Sequence, residues 1–194
     1  MRPMRIIGGT YRSRQLKSLK GLDLRPTSDR LRETLFNVLS PFIESARVLD
    51  LFAGTGAVGI EALSRGAAEV VLVEDYAAAA KLIQANLDSL GIDSGARLIV
   101  DDSFHALEKL AQRRHVFDIV YLDPPYAAAA DYVRVLTFLG NAATLLSDRA
   151  IVVAEHQNGT VLPQQFGFLE TVRTLEQSDA TLTFYRRYTQ PVSA

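Results

Sequence analysis

Asp50-Leu51-Phe52-Ala53-Gly54-Thr55-Gly56 is the most informative segment of this chain. A strand-like run from Arg47 to Leu49 precedes it, and apolar residues at helical spacing, beginning with Val58 and Ile60, follow it. The local order is therefore strand, glycine turn, helix. Glycines have no Cβ, so they let a backbone approach a ligand closely. Such a turn at the carboxyl end of a parallel strand is where open α/β sheets bind ligands.

The glycines of this turn fit two classes of cofactor. Residues 54–59 match G-x-G-x-x-G, the fingerprint of dinucleotide-binding proteins. Asp50, four residues before Gly54, matches instead the D-x-x-x-G-x-G loop of S-adenosylmethionine enzymes. The candidate cofactor contacts on this loop are Asp50, Phe52, Ala53, Gly54, Thr55 and Gly56. The glycines alone leave both cofactors open.

Composition narrows the class of protein. The chain has 194 residues, of which 48% are apolar, and this suits one domain with its own core. It contains no cysteine, which excludes disulfides, cysteine-ligated zinc and thiol nucleophiles, and disfavours pyrimidine-C5 methylation, which usually needs a cysteine. The sequence shows neither a signal peptide nor an apolar run near the ~20 residues of a membrane span. We therefore expect a cytoplasmic enzyme without a membrane partner.

Charge is unevenly distributed along the chain. The net charge is −1, yet residues 1–32 carry nine of the 21 Lys and Arg residues and only two of the 22 acidic ones. A basic arm on a mildly acidic body indicates a polyanionic partner, with a solvated tail as the alternative. Residues 4–19 predict an irregular β-hairpin around Gly8-Gly9. Basic side chains there would contact phosphates, and Tyr11 could stack on a base.

The candidate RNA contacts include this hairpin and the residues just after it. They are Arg5, Tyr11, Arg12, Arg14, Lys17, Arg25, Arg30 and Arg32. We place a domain boundary behind the hairpin, with residues 1–24 as a basic RNA-binding extension and residues 25–194 as the catalytic domain.

Strands and helices alternate regularly in the larger part of the chain. A first helix opens at residues 26–28, where Thr27 or Ser28 can cap it, and ends at residue 39. Strands are predicted at residues 47–52, 69–73, 97–100, 117–122 and 150–154, with helices at 60–63, 77–90, 104–112 and 131–146 between them. Two last strands, 168–175 and 181–188, would pair antiparallel. The pattern predicts an α/β class I methyltransferase sheet, Rossmann-like, with seven strands and an antiparallel terminal hairpin.

Acidic residues end the second and third predicted strands. Glu74 stands 18 positions after Gly56, where a carboxylate can accept both hydroxyls of a ribose, and Asp75 is the second candidate. NAD enzymes and methyltransferases share this feature, and an ordinary helix-capping acid is the alternative. Asp102 and Ser103 end strand three. The acid there would hold an adenine amino group, or it would simply cap the next helix, and both interpretations stay open.

Asp123-Pro124-Pro125-Tyr126 favours a methyl donor over a dinucleotide. It ends strand four, beside strand one, and therefore faces the glycine turn. An exocyclic amine on a base is a poor nucleophile, because its lone pair delocalises into the ring. The Asp123 carboxylate and the Pro124 carbonyl would accept its N–H groups and draw the nitrogen toward tetrahedral geometry.

The remaining residues of this turn would support that reaction. The prolines fix the backbone, and Tyr126 would stack on the base. Asp123 or water could accept the proton that leaves. Catalysis then consists mainly of alignment and electrostatics. The four residues 123–126 are the predicted catalytic set, Asp123 also lies among the cofactor contacts, and a proline-stiffened turn is the alternative.

No metal site is expected. His105, His115 and His156 lie apart in the sequence without metal-ligand spacing, and we interpret them as surface or packing residues.

Several motifs together resemble the RsmD family. They are residues 5–9 (RIIGG), 24–37 (LRPTSDRLRETLFN), 49–56 (LDLFAGTG), 61–67 (EALSRGA) and 123–126 (DPPY). The resemblance implies an S-adenosylmethionine-dependent enzyme that methylates a guanine N2 in bacterial 16S ribosomal RNA. It also implies that the basic hairpin grips RNA and that the substrate is a small-subunit (30S) assembly particle. We expect the enzyme to act as a monomer.

Three rival functions are weighed against this one. A DNA adenine-N6 or cytosine-N4 methyltransferase shares D-P-P-Y but usually carries extra recognition segments, which this sequence lacks. An NAD-dependent oxidoreductase explains the glycines but neither D-P-P-Y nor the basic arm. A non-catalytic RNA-binding protein would not need the intact Asp123 and glycine turn.

Overall fold

A single mixed β-sheet forms the centre of the molecule. The structure is a computed structural model that describes residues 4–18, 27–125, 129–142 and 144–188. The strands are β1 (Arg47–Asp50), β2 (Glu69–Val73), β3 (Ala96–Ile99), β4 (Phe117–Leu122), β5 (Leu146–Gln157), β6 (Gln165–Phe166), β7 (Leu169–Gln177) and β8 (Ala180–Arg187). Their order is β3-β2-β1-β4-β5-β8-β7-β6, with β1 to β5 parallel and β6 to β8 antiparallel. The class I methyltransferase sheet is confirmed.

The helices lie between the parallel strands, as the sequence predicts. They are α1 (Asp29–Leu39), α2 (Ala57–Ser64), α3 (Ala77–Leu90), α4 (Ser103–Gln112) and α5 (Ala129–Asn141), with a 3-10 turn at Ser40–Phe42. Ser28 caps α1, because its side chain accepts the Leu31 amide at 3.2 Å. Gly91 ends α3 with φ 69°, a conformation that suits glycine.

Two strand predictions need correction. β5 begins at Leu146, not at Ala150, because residue 146 pairs with Phe117 of β4. Accordingly α5 ends at Asn141, before the predicted residue 146. The sheet has eight strands where seven were predicted, since Gln165–Phe166 adds a short edge strand to β7. Two residues are too few to carry a period-2 signal.

Two hydrophobic layers cover the sheet. Val70 and Leu72 point to the layer that contains α1 and α2, whereas Val71 and Val73 point to the layer that contains α4 and α5. This alternation is the two-residue period of a strand buried on both faces. Within the described ranges, no helix has the length and apolarity that crossing a membrane requires.

The basic segment, which we define as residues 4–18, folds back on itself as a reduced hairpin. Arg5 and Gln15 form an antiparallel bridge, and Leu16 donates its amide to the Met4 carbonyl at 2.9 Å. Ile6 is fully buried and Leu16 is 5% exposed, and both lie in the same core as α1 and β1. The segment is thus packed on the sheet domain, while the predicted boundary at residues 24 and 25 lies outside the described residues.

Candidate active site

The candidate site lies where the strand order reverses. β1 sits between β2 and β4, and the register aligns Asp50 with Leu72 on one side and with Tyr121 on the other. The residues that follow these three strands therefore meet at one edge of the sheet. This edge holds the glycine turn, Glu74 and Asp123, at the position where open α/β sheets bind ligands.

The glycine turn leaves open space at its centre. Gly54 and Gly56 have φ angles of 54° and 76°, which other residues rarely adopt. A Cβ at Gly54 would meet no atom within 4 Å, so this position faces the open cleft. Gly59 is required for close packing of α2 on the sheet, because a Cβ added at this position would lie 2.8 Å from the Leu72 side chain. The turn thus has room for a ligand at its first glycine.

Glu74 holds the glycine turn in place. Its Oε2 accepts the Gly54 amide at 2.7 Å and its Oε1 accepts the Tyr76 amide at 2.9 Å. Burial raises the pKa of the Glu74 carboxyl, and the two amides act against this shift. A carboxylate has about four acceptor sites, so two ribose hydroxyls can still bind. Asp75 and Tyr76 beside it are exposed, and the sequence analysis missed Tyr76, which is bound to Glu74 through its backbone amide.

Asp50 has one buried oxygen without a hydrogen-bond partner. The residue is 1% exposed, its Oδ2 accepts the Gly59 amide at 3.0 Å, and its Oδ1 has no partner within the described part of the chain. Burial raises the pKa of Asp50 to about 7, and the charges of Glu74 and Glu155 add to the shift. A cationic or N–H donor group would satisfy this oxygen. The residues present therefore fit a cofactor that carries an ammonium group.

After β3, Asp102 has the role of a helix cap, one of the two interpretations that the sequence left open. Asp102 accepts the His105 amide at 2.9 Å and so caps α4, whose first residue is Ser103. Asp101 beside it binds Lys109 Nζ at 2.9 Å. Asp102 is exposed, and its predicted contact with adenine stays a prediction.

The predicted catalytic turn follows β4 directly. Asp123 is half-buried, Pro124 is buried and Pro125 is exposed, whereas Tyr126 lies outside the described residues. Leu122, the last residue of β4, pairs with Ala154 of β5. The residues that follow them, Asp123 and Glu155, therefore lie at the same position along the two neighbouring chains. Among the residues that the structure describes, no cluster of His, Cys, Asp or Glu could hold a metal ion.

A polar network behind this turn escaped the sequence analysis. Tyr121 donates its hydroxyl to Glu155 Oε2, and Thr27 donates to the same oxygen at 3.2 Å. Tyr132 of α5 donates its hydroxyl to the Glu155 carbonyl at 2.7 Å. Burial, followed by the charges of Glu155 and Asp123, raises the pKa of Tyr121 well above its usual range. No local pattern links Thr27 to a strand 128 residues away.

Most of the predicted RNA contacts lie on the surface. Arg12, Lys17 and Arg30 are exposed. Arg5 is exposed and lies 3.4 Å from Asp29. Two others have structural contacts as well: Arg14 donates to the Ser89 carbonyl at 2.9 Å, and Tyr11 is half-buried against the core. Arg25 lies outside the described residues.

The expectation for Arg32 needs correction. Its side chain is 0% exposed, and its Nη2 donates to the Arg5 carbonyl at 2.9 Å and to Asp29 Oδ1 at 2.7 Å. A buried guanidinium that joins α1 to the basic segment does not face RNA. The i,i+3 spacing of Asp29 and Arg32 was the available signal.

Comparison with known proteins agrees with this geometry. The family described as "Conserved hypothetical protein 95" matches residues 4–186. The Escherichia coli K12 protein named "Ribosomal RNA small subunit methyltransferase D" is 39% identical over 160 residues, which cover 82% of this chain and 78% of the relative. A Haemophilus influenzae protein of the same name is 42% identical over 123 residues, covering 63% and 64%.

A solved structure extends the likeness to three dimensions. The Escherichia coli protein yhhF superimposes with a TM-score of 0.83 at 32% identity, covering 97% of this chain and 99% of that one. The superposition thus spans nearly the whole length of both chains. This chain therefore belongs to the RsmD family of class I methyltransferases, the family described as "Conserved hypothetical protein 95".

Proposed function

We propose that this protein transfers a methyl group from S-adenosylmethionine to the N2 amine of a guanine in 16S ribosomal RNA. The observation that carries the proposal is the juxtaposition of two segments: the glycine turn after β1 and residues 123–125 after β4 leave the sheet side by side. The name of the Escherichia coli relative supports a ribosomal RNA of the small subunit as substrate. We further propose that a monomer acts on a 30S assembly particle.

The residues around the glycine turn would hold the cofactor. When bound, S-adenosylmethionine supplies a methyl group that its sulfonium already activates. Asp50 Oδ1, buried and unpartnered among the described residues, would accept the ammonium group. Glu74, with Asp75 beside it, would accept the ribose hydroxyls, and Asp102 with Ser103 would face the adenine. The backbone of residues 52–56 lines the cleft, where Gly54 leaves the space open.

The turn after β4 would activate the target amine. Asp123 and the Pro124 carbonyl would accept the two N–H groups of the guanine N2, which draws the nitrogen lone pair out of the ring. Pro125 keeps the backbone in place, and Tyr126 would stack on the base. The two acceptors then align the nitrogen toward the cleft beside Gly54. Positioning of this kind can lower a reaction barrier by about 7–11 kcal/mol.

One proton must leave the amine after methyl transfer. Asp123 is the carboxylate that would face that nitrogen, and it is only partly buried, so water can reach it. Asp123 would accept the proton and pass it to water. Tyr121 cannot serve as the acceptor, because its raised pKa keeps its hydroxyl protonated.

The exposed cations of the basic segment would hold RNA. Arg5, Arg12, Arg14 and Lys17 would contact phosphates, with Tyr11 available for stacking and Arg30 at the start of α1. Each phosphate contact to single-stranded RNA lowers the logarithm of the affinity by about 0.7 per tenfold increase in salt. Arg12→Ala with Arg14→Ala should flatten this slope by about 1.4 and leave cofactor affinity unchanged. Arg113→Ala with Arg114→Ala, which removes the same two charges at the exposed C-terminal end of α4, is the matched control.

Tritiated methyl transfer tests the function directly. Small-subunit particles, free 16S ribosomal RNA and DNA are incubated with the enzyme and labelled cofactor, and the products are digested to nucleosides. We expect the label in N2-methylguanosine, with particles as the best substrate. Label in N6-methyladenine or N4-methylcytosine of DNA would instead establish the rival amino methyltransferase, and no label in any substrate would refute the proposal.

A further inference from the structure

One buried side chain joins the glycine turn to the basic segment. Asn86 of α3 is 0% exposed. Its Nδ2 donates to the Thr55 carbonyl at 3.0 Å and to the Lys17 carbonyl at 3.2 Å, and its Oδ1 accepts the Lys17 amide at 2.8 Å. Thr55 belongs to the turn that would hold the cofactor, and Lys17 belongs to the segment that would hold RNA.

The amide of Asn86 fits only one orientation. Both of its N–H groups meet carbonyl oxygens and its oxygen meets an N–H group, so every partner is matched. The reversed amide would place an oxygen against two carbonyls and an NH2 group against the Lys17 amide. The side chain is therefore fully satisfied only when the glycine turn and the basic segment are both in place. Losing either partner leaves a buried polar group unpaired, which is costly.

Further contacts tie the same two parts together. The hydroxyl of Thr55 lies 3.5 Å from the sulfur of Met4 in the basic segment. Helix α2, which begins directly after the glycine turn, carries Glu61, whose two oxygens accept the Ile7 and Gly8 amides at 2.8 Å each. A ligand that orders the glycine turn therefore orders the surface on which the basic segment rests.

We infer that Asn86 is a positioning residue that couples cofactor binding to RNA binding, an inference that rests on the proposed function. Coupling between two binding sites is reciprocal, so each ligand should raise the affinity of the other by the same factor. Asn86 is fully buried, so its side chain offers neither ligand an accessible surface. It acts by holding the Thr55 and Lys17 backbones at a fixed separation.

The first experiment measures the affinity of 16S ribosomal RNA with and without saturating S-adenosylhomocysteine. This product lacks the sulfonium charge and the methyl group, so neither turnover nor direct charge attraction contributes. In the wild-type protein, the cofactor product should tighten RNA binding about fivefold or more. Asn86→Asp keeps an acceptor for the Lys17 amide but turns an oxygen toward both carbonyls. In this variant, the ratio of RNA affinity with S-adenosylhomocysteine to RNA affinity without it should fall close to one.

A matched control lies on the same helix. Gln84 is exposed and donates to Asp88 at 2.8 Å, so Gln84→Glu makes the same amide-to-acid change without touching either turn. Gln84→Glu should keep the wild-type ratio. If Asn86→Asp also keeps it, the inference is overturned, even when that variant is less stable. A wild-type ratio of one would overturn it as well.

A second measurement needs neither a variant nor RNA. Amide hydrogen exchange at Lys17 is followed in the wild-type protein as S-adenosylhomocysteine is added. We expect the exchange to slow by about fivefold or more, because the Lys17 amide donates to Asn86 Oδ1 and not to the ligand. Unchanged exchange at Lys17 with the ligand bound would overturn this inference but not the proposed function. Failure of the ligand to bind would overturn the proposed function and the inference with it.

Discussion

Glu61→Gln tests how the basic segment is attached to the catalytic domain. Glu61 is 0% exposed, and its carboxylate accepts the Ile7 and Gly8 amides at 2.8 Å each and the Arg65 Nε at 2.8 Å. Glutamine has the same shape but only one acceptor oxygen. Its NH2 group would face one of the two backbone amides, donor against donor. Ser64, whose hydroxyl accepts the Tyr11 amide of the basic segment at 2.9 Å, is unchanged by this substitution.

The magnitude follows from the two backbone bonds. A hydrogen bond to a charged group contributes about 1.5–3 kcal/mol, and here one is lost and the other becomes neutral. We therefore expect Glu61→Gln to lower the free energy of unfolding by about 2–4 kcal/mol. In a chain of this size, each kcal/mol lowers Tm by about 2–4 °C, so the expected decrease is roughly 5–15 °C.

Thermal unfolding followed by circular dichroism measures this change. Glu33→Gln is the control, because Glu33 is exposed on α1 and its substitution should leave Tm within about 1–2 °C of the wild type. RNA affinity of the Glu61 variant should decrease more than its S-adenosylmethionine affinity, since the released segment carries the basic side chains. A Tm within 2 °C of the wild type would contradict this prediction, because the two amides would then not depend on the carboxylate.

The same contacts explain why deletion of the basic segment is a poor test of RNA binding. Removing residues 1–18 exposes the sites that Ile6 and Leu16 fill, and each such side chain contributes about 1.5–3 kcal/mol. It also leaves the buried Glu61 with Arg65 alone. The combined loss is comparable with the 5–15 kcal/mol that stabilises a typical domain. Substitution of exposed arginines separates RNA binding from folding, whereas deletion confounds them.

Three further predictions concern the cofactor and the target amine. The pKa of Asp50 is about 7 in the folded chain, against an ordinary value of 3.8. Between pH 3.8 and pH 7 the folded state therefore binds one proton more than the unfolded state, so the free energy of unfolding of the wild type falls as pH rises through this range. In urea unfolding, the free energy of unfolding of Asp50→Asn should therefore rise relative to that of the wild type by roughly 2–4 kcal/mol between pH 5 and 8. A difference between the two proteins that does not change with pH would contradict this. Gly54→Val should abolish S-adenosylmethionine binding in calorimetry and Glu74→Ala should weaken it by about 1–3 kcal/mol; normal affinity in both would remove the cofactor assignment. Asp123→Ala should slow single-turnover methylation far more than it changes cofactor Kd, and near-normal turnover would exclude the amine-activation mechanism.

Elements with local sequence signals were predicted correctly. The observed bounds of β2, β4 and α3 are those predicted, because an apolar run bounded by polar residues, or a helical period closed by Gly91, needs no distant partner. The same holds for the glycine turn and the residues that end each strand. Strand–helix alternation then fixes which turns share the carboxyl edge, so the cleft was predictable from sequence order alone.

The partners of the buried polar side chains could be found only in the folded chain, because the sequence pattern does not distinguish these residues from other helix positions. Glu61, Asn86 and Arg32 read as ordinary helix positions, yet all three are 0% exposed and pair with backbone groups of the basic segment. Glu155 likewise meets Thr27, 128 residues away in the chain. A periodic pattern reports whether a position faces the core, but it does not report which distant segment covers that position. Buried polar groups need specific partners, and only the folded chain brings those partners within hydrogen-bond distance.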